Sequence, residues 1–410
     1  MKRYLVLVFI LIGQWGYGQI TTDKLLELHN QIGKNHTENY QFVIQEFNKF
    51  SVDSMDDRTR GLFNQLLSTY HAAIGNYNRS RFYWDQQYVK WIKEYKVDCD
   101  TIFYNQHQFV DAKNYILQQS KNEKVVMINE AHNIPYHRAF VLQLLNGYRQ
   151  LGFKYLAIEA LMDKNINETK HITDTAGFYC REPLFAEMIR EALREQFILV
   201  KYEAVGNTTS NRMRDSLQAV NLAKILKTDP DAKILVYAGY DHIHEGSKTD
   251  WKKMAQFFKD MTNINPLTIS QTQHIEQYHP ELETGQFRIV NQLDSFSDPV
   301  IALKNDSAWH DKFVDISIIY PRYLKPNKRP EYLTIGGLRK ATPLETKKKE
   351  KGLFVQAFYA NEQKGHRIPA DQLFIKNTQE ILYLRPGKYV LEFKNPSDKV
   401  VKKEHINVSN

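Results

Sequence analysis

Chemistry-bearing residues recur at one kind of position in this chain. Asn129-Glu130-Ala131-His132, Glu159, Glu203 and Gly239-Tyr240-Asp241-His242, the last followed by His244 and Glu245, each come directly after a short apolar run of strand-like composition. In an open parallel sheet, the loops beyond the carboxyl ends of the strands build the ligand site. Four consecutive runs ending in ionisable residues therefore predict one cavity that holds Glu130, His132, Glu159 and His242. Carboxylates brought together repel, and each resists ionisation on losing water. Something positive must compensate: a divalent metal held by His132, His242 and Glu159, a cationic substrate group, or Arg138, Arg212 and Arg214 from neighbouring segments. The other solution is a carboxylate that shares a proton with an imidazole, which supplies a general acid and base near neutral pH.

A His just past a strand is, alone, more often an ordinary hydrogen-bonded residue than a base or a ligand. The joint placement of His132 and His242 with Glu130 and Glu159 is what favours a site. His137 and His244 read as supporting or surface residues, Glu203 as the partner of an arginine, and Glu245 as a cap or salt-bridge group. Glu182, just before Pro183, is explained by the preference for negative charge at a helix start. Glu187, Arg190, Glu191 and Arg194 read as an exposed helix face with charge pairs, Arg190 being the one that could turn inward.

The elements that must position these residues follow from the apolar pattern. Lys124–Asn129, Tyr155–Ile158, Phe197–Tyr202, Ile234–Ala238 and Leu267–Ser270 are short and rich in β-branched or aromatic residues, as buried parallel strands are. Tyr136–Gln150, Glu182–Gln196, Ser210–Lys227 and Asp250–Met261 have the length and spacing of crossover helices. Before them, residues 21–96 show helical spacing and a Tyr/Trp-rich stretch, Phe82–Trp91, that suggests antiparallel helices packed through aromatic rings. After about Gly285 the strand-like runs Phe287–Val290, Val314–Ile319, Leu353–Phe358, Leu373–Ile375 and Tyr389–Phe393 follow one another, and Arg385-Pro-Gly-Lys388 suits a hairpin turn. The expectation is an α/β protein: a mostly parallel sheet with flanking helices, preceded by a helical segment and followed by a small β-sandwich-like domain. The expected boundaries are 1–18 for a signal peptide, 19–118 for the helical region, 119–284 for the α/β domain and 285–410 for the β-rich domain, with Ile316–Pro321 equally suited to finish the α/β domain.

A chain of 410 residues buries a sizeable core without staples. Met1-Lys2-Arg3 and the apolar run Tyr4–Gly13 read as a secretory signal cleaved after Gly18, which implies an exported protein, periplasmic, cell-surface or extracellular, with no integral membrane domain after cleavage. The net charge of +8 owes much to Lys347–Lys351 and Lys399–Lys403. These runs lack interleaved aromatics and read as solvated loops or strand edges, so nucleic acid is excluded as a partner. Cys99 and Cys180 allow at most one internal disulfide, and ordinary thiols are the favoured reading of both.

The segments Val126–His132, Leu151–Glu159, Gly177–Leu193 and Val236–Glu245, in this order and with Glu and His at the strand ends, resemble the erythromycin esterase, ChaN and Tiki superfamily over residues 120–275. The resemblance implies one of three activities: opening of a lactone by His-activated water, metal-dependent proteolysis, or haem binding. Residue by residue it makes His132 the general base or a metal ligand, Glu130 and Glu159 its acidic partners, and His242 the second imidazole. Asn129 stands where that family usually has Gly, a departure that Asn tolerates better than most residues because it accepts unusual backbone angles. The leading expectation is an exported hydrolase acting on an ester, lactone or amide bond of a small-molecule or peptide substrate, with metal assistance left open. The alternative is a non-catalytic exported protein that binds haem or a metal.

Overall fold

The structure, a computed structural model, describes residues 20–35, 39–94, 101–204, 206, 210–246, 251–325, 328–362 and 366–409. The expected signal segment and Cys99 lie outside these residues. Among the described residues, no helix is long and apolar enough to cross a membrane.

The chain is mixed α/β, built on a mostly parallel central sheet. In chain order its strands are β1 (Gln108–Asp111), β2 (Val125–Glu130), β3 (Tyr155–Ile158), β4 (Ile198–Lys201), β5 (Ile234–Gly239), β6 (Leu267–His274), β7 (Val300–Lys304), β8 (Ser307–Ala308) and β9 (Ile316–Ile319). Their spatial order is β1-β7-β9-β6-β2-β5-β3-β4, with β8 paired to β7. The stretch from β9 to β4 is parallel, and β1 and β7 close the other edge antiparallel. All six residues of β2 and of β5 are buried, because helices cover both faces of a parallel sheet. The helices are α1 (Thr22–Asn35), α2 (Tyr40–Phe47), α3 (Asp57–Ala73), α4 (Tyr77–Asp85), α5 (Thr101–Gln106), α6 (Ala112–Gln119), α7 (Pro135–Gln150), α8 (Ile166–Thr169), α9 (Pro183–Arg194), α10 (Asn211–Thr228), α11 (Met254–Thr262) and α12 (Gly285–Leu293). Helices α7, α9, α10 and α11 occupy the four segments whose spacing predicts crossovers.

The carboxyl-terminal module has two antiparallel sheets. β10 (Lys340–Glu345) pairs with β13 (Gln379–Leu384), and β11 (Phe354–Tyr359), β12 (Asp371–Phe374), β14 (Gly387–Lys394) and β15 (Val400–Val408) form the order β12-β11-β14-β15. Leu344, Leu382 and Leu384 of one sheet share an apolar core with Val355, Leu391 and Phe393 of the other. Arg385-Pro-Gly-Lys388 is not a hairpin turn, since β13 and β14 lie in different sheets and the turn carries the chain between them.

Two expectations change at the seam with this module. Residues 287–290 are helical, within α12: the Thr284 side chain caps the helix at the Phe287 N–H, and Phe287 and Val290 bury one face at i, i+3 spacing. With α12, strands β7 to β9 belong to the central sheet, so the β-rich module begins beyond residue 320 rather than at 285. On the charged face of α9, Glu187, Arg190 and Glu191 are buried, and Arg194 is exposed as expected. Glu187 is fully buried, accepting from Arg190 Nη1 (2.9 Å), Arg385 Nε (3.0 Å) and Tyr359 Oη (3.1 Å), while Arg190 Nε donates to Glu362 (2.8 Å). That face is the polar seam between the α/β domain and the β module.

Candidate active site

The cavity opens at the carboxyl ends of β2, β5, β3 and β4, which are neighbours in the sheet, and encloses about 230 Å³. Glu130, His132, Glu159, Glu203, Arg214 and His242 all line it. The four residues singled out from the sequence thus share one space, Glu130 as the last residue of β2 and the other three from the segments that follow their strands.

Glu130 ends β2 and is 1% exposed. Its Oε2 accepts from Arg138 Nε (2.7 Å) and from the Tyr237 hydroxyl (2.7 Å); its Oε1 accepts from Arg138 Nη2 (2.8 Å) and pairs with His132 Nδ1 (2.8 Å). Burial pushes this carboxyl up, but the bidentate Arg138 and the His132 contact outweigh it and hold the group well below the usual carboxylate range. Arg138 stands one turn into α7, directly after the β2 loop, and also donates to Glu182 (3.0 Å) and to the His132 carbonyl (2.8 Å). Glu182 fills the role expected of it as well, accepting from Phe185 N at the start of α9 (2.9 Å).

His132 is fixed on several sides. Its ring stacks on Tyr179 (3.9 Å between centroids, 20°), and the Tyr240 ring stands edge-on at 4.9 Å. Behind it the His137 ring is fully buried, and its Nδ1 accepts from Ala131 N (3.0 Å), so the reading of His137 as a supporting residue holds and the surface alternative does not. Burial pushes His137 down to about 3, which keeps it neutral. A donor at His132 Nδ1 leaves Nε2 with the lone pair, and among the described residues no hydrogen-bond partner occupies it. A Cβ on Gly239 would stand 2.9 Å from that Nε2 and 2.7 Å from Cε1. Glycine is therefore required at the end of β5 for the ring to sit where it does. Gly239→Ala is expected to displace the His132 ring with little change in far-UV circular dichroism, measurable as a shift of the His132 imidazole resonances.

The second half of the site is organised by Arg214, in the first turn of α10. Its guanidinium donates to Glu159 and to Glu203 through Nη2, to Glu203 through Nε (3.0 Å), and to His242 Nε2 through Nη1 (3.1 Å). Glu203 is thus an arginine partner, as expected of it. Glu159 Oε2 also accepts from Gly239 N (2.6 Å), which ties β3 to β5. His242 Nδ1 pairs with Asp215, a buried residue that also accepts from Met254 N (3.2 Å) and Trp251 Nε1 (3.2 Å). Burial pushes the imidazole down, yet Asp215 and Glu159 more than reverse this and leave it above the ordinary histidine value. Arg212 is exposed, Glu245 pairs with Lys259, and burial lowers His244.

The positive charge that the carboxylates need is therefore carried by Arg138 and Arg214. A divalent metal on His132, His242 and Glu159 does not fit this arrangement, because the guanidinium of Arg214 occupies the space that Glu159, Glu203 and His242 face. Among the described residues, no three His, Cys, Asp or Glu side chains stand where they would hold a metal ion.

Asn129 has ordinary strand geometry, so unusual backbone angles are not its contribution. Its side chain is a staple: Nδ2 donates to the Tyr240 carbonyl (2.6 Å), and Oδ1 accepts from Gln271 N (2.7 Å). The left-handed residue is Tyr240, at φ 43°, inside the Gly239-x-x-His242 turn. Sequence reasoning missed Asp215, Tyr179 and Tyr240. Tyr240 lies within a motif already marked, whereas nothing near Asp215 or Tyr179 in the sequence sets them apart.

No family model matches the sequence, and no curated protein matches it. Among solved structures, the type III effector HopBA1 is similar over 38% of this chain and 80% of its own, with a TM-score of 0.28 and 12% identity. Two structures of bacterial protein toxins are similar over 47% and 52% of this chain, with TM-scores of 0.30 and 0.28 and 13% identity in each case. This chain spans 45% of the length of each toxin chain.

Proposed function

We propose that this chain is an exported hydrolase in which His132, oriented by Glu130, activates water for attack on an ester, lactone or amide carbonyl. The observation that carries this reading is the Glu130–His132 pair, with Nδ1 anchored at 2.8 Å on a carboxylate held ionised by Arg138 and Nε2 directed at the cavity. In the reaction Nε2 takes a proton from water as its oxygen bonds to the carbonyl carbon. The tetrahedral intermediate collapses by breaking the bond to the leaving group, which receives its proton from His242. Arg214 supplies positive charge near the developing oxyanion. The resemblance of residues 120–275 to the erythromycin esterase, ChaN and Tiki superfamily agrees with this chemistry, and its metal-dependent and haem-binding branches are the ones the arginine-filled site disfavours.

The role of His242 has a pH signature. In the neutral imidazole Nδ1–H donates to Asp215 and Nε2 accepts from Arg214. Protonation at Nε2 makes the Arg214 contact repulsive and turns Nε2–H toward Glu159 Oε1, 3.6 Å away. Activity that needs this proton falls as pH rises through the raised value of His242. Asp215→Asn removes the main raising contact and is expected to move the alkaline limb of kcat/KM to lower pH. The linked stability has the same sign: it is fully present below the unfolded histidine value of about 6.5 and lost as pH rises through the folded value, so the variant's melting temperature depends less on pH across that window. An unchanged alkaline limb in Asp215→Asn would remove His242 from the acid role.

A further inference from the structure

The aromatic stretch at the end of the helical region leads away from the cavity. Tyr240, edge-on to His132, stacks on Trp84 with centroids 5.5 Å apart and 5° between planes. Tyr88 follows Trp84 at 6.4 Å, and Trp91, in the 3-10 helix Val89–Glu94, follows Tyr88 at 6.4 Å. Trp84 lies at the end of α4, Tyr88 in the turn that follows and Trp91 in the 3-10 helix beyond it. Trp91 is 40% exposed, so the row runs from the base to open surface. Tyr240 gives a second, independent observation. A bulky residue in the left-handed region is an outlier that persists only where its surroundings impose it, and such residues cluster at functional positions. Here the imposed conformation lays the ring between His132 and Trp84.

Resting on the hydrolytic reading of the cavity, we infer that this row of rings is the substrate-binding extension of the site and takes a glycan whose ester or N-acyl substituent is the bond cleaved. Flat rings accept the apolar faces of sugars and leave their hydroxyl rims to water. A peptide that binds by strand pairing is disfavoured, because the row offers no open sheet edge, and a peptide that docks on rings alone is tested against the glycan below. A polyanion is disfavoured too: Glu130, Glu159, Glu203 and Asp215 face only two arginines at the inner end, and Lys90 beside Trp91 is 3.2 Å from Asp57.

The test compares wild type with Trp91→Ala and Tyr88→Ala on partially acetylated xylohexaose and on 4-nitrophenyl acetate, with binding of unmodified xylohexaose followed by tryptophan fluorescence. The expected result is a rise of about tenfold in the KM ratio of hexaose to small ester, kcat for the hexaose unchanged, and a matching loss of xylohexaose affinity. Tyr240→Gly accepts the positive φ but deletes a ring packed on Trp84, and is expected to lower the melting temperature and to lose preference for the hexaose. An unchanged KM ratio, or an acetylated hexapeptide competing better than the hexaose, would overturn the inference. Xylohexaose binding that is lost in Trp91→Ala, without turnover of either ester, supports the binding row and refutes hydrolysis. Turnover of 4-nitrophenyl acetate without xylohexaose binding does the reverse.

Discussion

His132→Gln is expected to lower kcat by about 10²–10⁴-fold, the contribution of a positioned general base. The fold is expected to survive. His132 gives the structure one side-chain hydrogen bond and sits at the cavity wall, whereas Glu130 keeps Arg138 and Tyr237 when the imidazole is gone. The loss of one hydrogen bond of about 1 kcal/mol corresponds to a fall of about 2–4 °C in melting temperature. Kinetics on a panel of carboxylic esters, together with thermal melts, check both halves. A variant as active as wild type would remove His132 from the chemistry, and one that fails to fold would make the residue structural.

The largest effect on stability is expected at Arg138. The guanidinium is 1% exposed and satisfies Glu130, Glu182 and the carbonyl of His132 at once. Arg138→Met leaves two carboxylates buried without their cation, and breaking such a pair costs about 3–5 kcal/mol. Adding Glu130→Gln is expected to restore part of the loss, because the charge left stranded is then smaller. Denaturant melts of the single and double variants measure this coupling. A double variant no more stable than Arg138→Met would mean that the ion pair does not set the stability of the site.

The two effects come from the same few atoms. Arg138 keeps Glu130 ionised, Glu130 keeps the proton of His132 on Nδ1, and Nε2 is thereby left as the base. In the proposed mechanism the arginine acts on catalysis through two intermediaries, and conservative changes there are expected to reduce kcat before they abolish folding. Arg138→Lys retains the charge but not the bidentate fork, so it falls between wild type and Arg138→Met in both properties.

The sequence carried the strands of the sheet centre and the placement of the site because both leave local traces. Runs such as Val125–Ile128 and Ile234–Ala238 are apolar on every residue, as a doubly covered parallel strand is. Glu130, His132, Glu159 and His242 then stand out as the ionisable groups that terminate those runs. What was not legible depends on contacts far along the chain. The face of α9 reads as solvated, since nothing near Glu187 reveals that Arg385 and Tyr359, about 170–200 residues later, make its burial tolerable. Phe287–Val290 is a short apolar run, and such runs do not distinguish strand from helix without the cap at Thr284. β1 offers only Phe109 and Val110 as a signal, and is a strand because β7 lies beside it. Within the site, Arg138 and Arg214 were recognisable as compensating charges, but Asp215 becomes meaningful only when β5 delivers His242 to it.

The most direct measurement is single-turnover hydrolysis of an ester substrate in ¹⁸O-labelled water, with the acid product analysed by mass spectrometry for wild type and His132→Gln. Direct attack by His132-activated water predicts one ¹⁸O atom in the product acid, formed at the wild-type rate without an acyl-enzyme species and slowed by orders of magnitude in the variant. Equal rates of labelled product from the two proteins, or a trapped acyl-enzyme, would contradict it.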